Sequence, residues 1–146
     1  MKAIEAITKA SALRQNMFSD EQKYDWLMSF EGEVAELMCK GVKTDSTQAS
    51  ENDVYKANGK YYVYRGSEWV ELLDKAYPDM ETELLMTYPH DYIYVLYLIA
   101  MIDYYNKETE QYQNDVTVFE DAKKKAFASF RRNNLPPSRE SGFKVM

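Results

Sequence analysis

The sequence predicts a mainly α fold: a small helical bundle of three to four helices, one of them long and tyrosine-rich, decorated with a small β-hairpin or three-strand meander. Three observations predict it. Apolar residues recur at three- and four-residue steps through residues 20–39 and again from residue 91 onward, the spacing of helices with one buried side. The period falls to two only across residues 53–73. A chain of 146 residues with 45% apolar residues has material for one core. Residues 1–134 therefore read as a single helical domain with a β insertion at about 53–73, and 135–146 as an extended C-terminal tail.

Residues 3–13 carry Ile4, Ile7 and Leu13 in a weak helical pattern, a short helix or an arm. The first strong helix starts behind Ser19, whose spacing to Gln22 is that of a capping box, with Phe18 placed to staple the first turn. Trp26, Leu27, Phe30, Val34, Leu37 and Met38 form its apolar stripe, and Asp25, Glu31, Glu33 and Glu36 fall mostly elsewhere. Gly41 is a plausible stop, and residues 43–53 are polar and breaker-rich, hence loop. Asn58-Gly59 stands between two Tyr- and Val-rich runs, a strong hairpin signal, and a second turn at Arg65-Gly66-Ser67 leads to Glu68-Trp69-Val70. Three short strands are too few for a main core.

Pro78 and Pro89 bracket an extended piece containing Leu84, Leu85 and Met86. A long helix is then predicted from about Asp91, its cap, to Gln113, with a first half that is apolar almost all round and so central to a core or an assembly. Asn114-Asp115 breaks the pattern, and Asp115 caps a further helix to about Asn133 with Val116, Phe119, Ala126, Phe127 and Phe130 facing inward. The Pro136-Pro137 pair excludes helix in the tail, which ends with the apolar Phe143, Val145 and Met146.

Charge divides the chain. Residues 1–122 carry 11 Lys and Arg against 23 Asp and Glu, whereas residues 123–146 carry 7 against 1. An acidic body argues against wrapping nucleic acid, which takes clustered cations. The basic end suits the negative end of a helix dipole; it also fits phosphate or, as the better match, the acidic body of a neighbouring copy. Thirteen tyrosines, each an apolar ring with a hydroxyl that seeks a partner, point to half-buried surfaces and binding. The N-terminus lacks the apolar core of a secretory signal, and the longest apolar run, Tyr92 to Ile102, falls short of the roughly 20 residues that span a bilayer, so no membrane partner is expected.

No chemistry is legible. One Cys and one His cannot build a four-ligand zinc site, a single Cys forms no internal disulfide and fits a reducing cytoplasm, and the five glycines never cluster into a phosphate loop. No catalytic residue, cofactor or metal is therefore expected. His90 between Pro89 and Asp91 reads as structural, and Cys39, at the end of an apolar stripe, as a small buried hydrophobe. Asp103 in an apolar helix is either a general base with a raised pKa or, as favoured, half of an ion pair with Lys107 or with an arginine of another helix or subunit.

Two segments, in order, resemble the head–tail adaptor (connector) proteins of long-tailed bacteriophages. The first is NMFSDEQKYDWLMSFEGEVAEL, residues 16–37. The second, residues 77–127, contains Leu84, Leu85, Pro89, Asp91, Tyr94, Tyr97, Leu98, Ile102, Asp103, Glu108, Tyr112 and Asn114 in the order that family shows. The match covers about half the chain and leaves out the hairpin region and the Pro-Pro tail. It implies a structural virion neck protein, made in the host bacterial cytoplasm: a ring of twelve copies beneath the portal protein, a passage through which DNA moves without sequence-specific binding, and a downstream neck or tail-completion protein docked below. It also implies that the C-terminal segment reaches the portal. Here that segment runs from Leu135 to Met146, with Leu135, Pro136, Pro137, Phe143, Val145 and Met146 as contacts, while Arg131 and Arg132 are candidates for docking between copies. The alternative function is a cytoplasmic helical module that binds a protein partner and enters no particle.

Overall fold

Residues 1–74 and 80–134 are described by the computed structural model, and they form four helices and one four-stranded sheet. Helix α1 (Ala3–Leu13) turns Ala3, Ala6, Ile7 and Ala10 inward, and its three buried alanines let its backbone lie close against the third helix. Its start is stitched to a distant stretch: Ala3 and Ile4 donate their N–H groups to the carbonyls of Thr82 and Met80, and Leu84 donates to Met1, all at 2.9 Å. Helix α2 (Asp20–Met38) begins as its sequence demands, with Ser19 Oγ accepting the Gln22 N–H at 3.1 Å. Phe18 instead packs edge-on against Trp26 and against Tyr105 of the third helix.

The sheet follows: β1 (Cys39–Val42), β2 (Val54–Ala57), β3 (Lys60–Arg65) and β4 (Glu68–Glu71), paired in chain order. The β2–β3 and β3–β4 pairs are antiparallel and joined by the two-residue turns Asn58-Gly59 and Gly66-Ser67. All four turn residues have positive φ, as turns matching the twist of a hairpin require. β1 pairs with β2 in parallel, with an irregular register between Cys39 and Val42. Two helices complete the chain, α3 (Ile93–Tyr105) and α4 (Thr109–Asn133). α3 lies in the middle, packed on α1, α2 and α4, and buries Ile93, Tyr94, Val95, Leu98, Ile99 and Ile102.

This architecture corrects the mainly α class and its bundle with a hairpin or three-strand meander. The chain is an α+β arrangement in which a mixed four-stranded sheet shares the helices' core through Val54, Val63 and Leu72. The helix ends at Met38 without using Gly41, which lies within β1, the strand that runs directly out of α2. The long helix from Asp91 to Gln113 is two helices. Asp91 caps neither; α3 begins after Tyr92 without a side-chain cap, and Asp91 lies 3.9 Å from the Met1 amine. Nor does Asn114-Asp115 interrupt anything, since α4 runs through it from Thr109.

The break falls at Asn106–Glu108 and has a backbone cause. Glu108 N–H donates to the Asp103 carbonyl at 3.0 Å and Lys107 N–H to the Tyr104 carbonyl at 3.2 Å, the paired bonds of a Schellman motif, with Lys107 left-handed at φ 61°. Among the described residues no helix is long and apolar enough to cross a membrane.

Candidate docking surfaces

Two unlike surfaces lie at opposite ends of α4. The first is built where the α1–α2 turn meets the α3–α4 turn. Arg14 follows α1, and its guanidinium bridges two carboxylates: Nη2 to Asp115 Oδ2 at 2.7 Å and Nε to Asp103 Oδ1 at 3.3 Å. Asn106 Nδ2 donates to the Gln15 carbonyl at 3.1 Å, which ties the two turns together. Asp103 is 1% exposed, and among the described residues its second oxygen, Oδ2, meets no N–H donor. Burial, and then the adjacent Asp115 carboxyl, push Asp103 up to about 7 against the pull of Arg14. In Asp115 burial acts upward too, but hydrogen bonds from Asp103 and Arg14 outweigh it and hold the carboxyl below its ordinary value. One guanidinium thus serves two carboxylates.

Above Asp103 the aromatics gather. Trp26 and Tyr105 are stacked at 4.9 Å, Tyr104 stands perpendicular to Tyr105 at 5.1 Å, and Tyr112 of α4 closes on Tyr104 at 5.4 Å. Tyr104, Tyr105 and Tyr112 line a recess of about 640 Å³ together with Asp103, Lys107 and Thr109. Tyr104 and Tyr105 remain half exposed to water, and Met17 in the adjoining turn is 99% exposed. These uncovered apolar groups gather at one end of the molecule as an exposed patch of the kind found at interaction surfaces.

The second surface is the basic end of α4. Arg131 and Arg132 are exposed in its last turn, and neither is ion-paired among the described residues. Beside them a groove of about 220 Å³ runs between Met38, Met86, Pro89, Ala126 and Phe130, with half-buried His90 on its wall. Lys123 is committed within the molecule, reaching Glu33 Oε1 at 2.9 Å over the rings of Phe119 and Phe127, while Lys124 and Lys125 face water. The other predicted contacts, Leu135, Pro136, Pro137, Phe143, Val145 and Met146, lie outside the described residues, as does Pro78.

Buried Glu31 and half-buried Arg14 escaped the sequence reading. Glu31 does not fall off the apolar face of α2: it is 2% exposed. Its carboxylate accepts the Leu85 N–H at 2.8 Å and the Tyr94 hydroxyl at 2.6 Å, and Tyr94 in turn accepts the Met86 N–H at 2.9 Å. Burial pushes Glu31 up to about 7 against those hydrogen bonds, and the network serves to pin the 84–86 segment to α2. Its position one turn from Leu27 and Val34 was a readable sign of burial. Arg14, the partner of Asp103, had no such signal. Cys39 is half-buried at the first position of β1, its Sγ 3.5 Å from the Gly41 carbonyl, so it is not a core residue of a helix.

Among the described residues no three or more His, Cys, Asp and Glu side chains are grouped to hold a metal. Comparison of the chain with protein-family profiles, with curated proteins and with solved structures returned no match.

Proposed function

We propose that the chain is a structural subunit of a virion neck, a head–tail adaptor that assembles as a ring between the portal and the tail of a long-tailed bacteriophage and forms part of its DNA passage. The observation that carries the reading is the placement of an acidic, tyrosine-lined surface and a basic surface at opposite ends of one 25-residue helix. A subunit with two different, complementary ends makes head-to-tail contacts, and head-to-tail contacts close into rings when the rotation between copies allows. The ordered likeness of residues 16–37 and 77–127 to that family supplies the particular assembly. An acidic body lining a passage would repel DNA and let it slide.

The test is native mass spectrometry of the full chain with and without a candidate portal ring. A gain of about twelve subunits per portal ring, lost when residues 135–146 are deleted, is the expected result. A chain that gains no mass on the portal and stays a monomer or dimer moves the assignment to a helical module for a cellular protein partner.

A further inference from the structure

The Asp103–Arg14–Asp115 cluster gathers two carboxyl groups on one guanidinium. Arg14 takes one oxygen of each, and among the described residues Oδ2 of Asp103, a residue 1% exposed, meets no N–H donor. That residue forms part of the lining of the 640 Å³ recess. The walls carry Tyr104, Tyr105 and Tyr112, the first two perpendicular to one another at 89°. Tyrosine rings present negative faces, so a recess walled by three of them with a carboxylate in its lining suits a guanidinium or ammonium group. Among the described residues Lys107 is the one cation in its lining, and Glu108 and Glu110 stand near it in the chain.

The far end of α4 carries the matching group. From Asp103 to Asp121 there are six acids and one lysine, and from Ala122 to Asn134 five cations and no acid. Tyr112 and Arg131 belong to one continuous α4, which holds them roughly 28 Å apart along its axis, so no copy can fill its own recess. We propose that the recess of Tyr104, Tyr105 and Tyr112 receives Arg131 or Arg132 of a second copy of this chain. The inference names the contact between copies on which the ring reading rests, but it requires no portal. Arg131 and Arg132, exposed and without an ion pair among the described residues, enter an acidic, tyrosine-walled recess. The planar guanidinium lies against the tyrosine faces that wall the recess, which an ammonium does less well.

Sedimentation velocity of the full chain up to about millimolar concentration, at low salt, tests this. Self-association is expected, weakened at least about tenfold by Arg131→Glu with Arg132→Glu and about three- to tenfold by Tyr112→Ala, with helical circular dichroism unchanged in each. Position is read separately in a Cys39→Ser background: Gln113→Cys in one population and Asn133→Cys in another are expected to form a mixed disulfide on oxidation. A chain that stays monomeric overturns the proposal, as does self-association that resists both sets of substitutions, or crosslinks that join 113 to 113 or 133 to 133. Recruitment to a portal with none of these effects would leave the adaptor reading standing and remove this contact alone.

Discussion

Glu31 and Asp103 are both acids in water-poor surroundings, and both are pushed up to about 7, burial being the largest cause. The sign of the consequence follows from linkage. An acid whose folded pKa is raised favours the fold fully below its unfolded value, about 4, and that contribution is lost as pH rises through 7. For Glu31→Gln the amide cannot accept from both Leu85 N–H and the Tyr94 hydroxyl, so one buried group is left unsatisfied at a cost of about 1–3 kcal/mol. The variant is therefore less stable than the parent near pH 5.5, and because it does not titrate, the gap narrows as the pH is taken to about 8.5. Denaturant melts at the two pH values check this. Asp103→Asn acts oppositely: its amide can donate to Asp115 as a protonated carboxyl would, so its unfolding midpoint should match the parent at about pH 5 and exceed it at about pH 8. The sequence made Asp103 conspicuous because an acid stood in an apolar run. It could not name Arg14, whose role depends on how two turns ninety residues apart meet.

Helices and turns were legible in proportion to how local their causes are. The Ser19 cap and the Asn58-Gly59 turn are set by a few adjacent residues, and both form as read. β1 was not legible, since Cys39 to Val42 is exposed beyond its first residue and has no alternation to betray a strand; its pairing partner β2 supplies the order. The split between α3 and α4 was equally hidden. Asn106-Lys107-Glu108 is polar but helix-compatible, and the stop is made by a left-handed lysine at the position where glycine is usual. Lys107→Gly should accordingly raise stability by about 0.5–1 kcal/mol, read as a higher midpoint in urea, because glycine adopts that conformation without a steric cost. Gly59→Val should do the reverse by about 1 kcal/mol or more, as φ there is 78°.

At the scale of the molecule the dominant feature is asymmetry. A central α3 is clasped by α1 and α2, which precede it in the chain, and by α4, which follows it, and a locally built sheet extends the core, while the exposed charge separates along α4. Net charge of −6 hides that separation, which was legible as two unequal counts before any fold was known. What was not legible is that tyrosines from the end of α3 and the start of α4 would converge over the same acid, since the predicted unbroken helix would have spread them along one rod. Contacts between exposed charges are screened within about 8 Å at physiological salt. Assembly through the ends of α4 should therefore weaken several-fold between about 0.05 and 0.5 M salt, a dependence that light scattering would read directly. Weak or absent salt dependence would indicate that the uncovered apolar groups, Met17 and Tyr104 among them, dominate the contact.

The two tryptophans have fallen into separate neighbourhoods. Trp26 is stacked on Tyr105 beside the recess, and Trp69 sits in the sheet between the edges of Tyr55 and Tyr64. The molecule therefore carries two intrinsic optical probes with no shared environment. In a Trp69→Phe variant the remaining emission comes from Trp26 alone, and a guanidinium arriving among the rings of Tyr104 and Tyr105 would change its intensity and wavelength. In Trp26→Phe the light reports only the sheet. Occupancy at one end of α4 and integrity of the β region can then be followed in the same titration, without any dye attached to the protein.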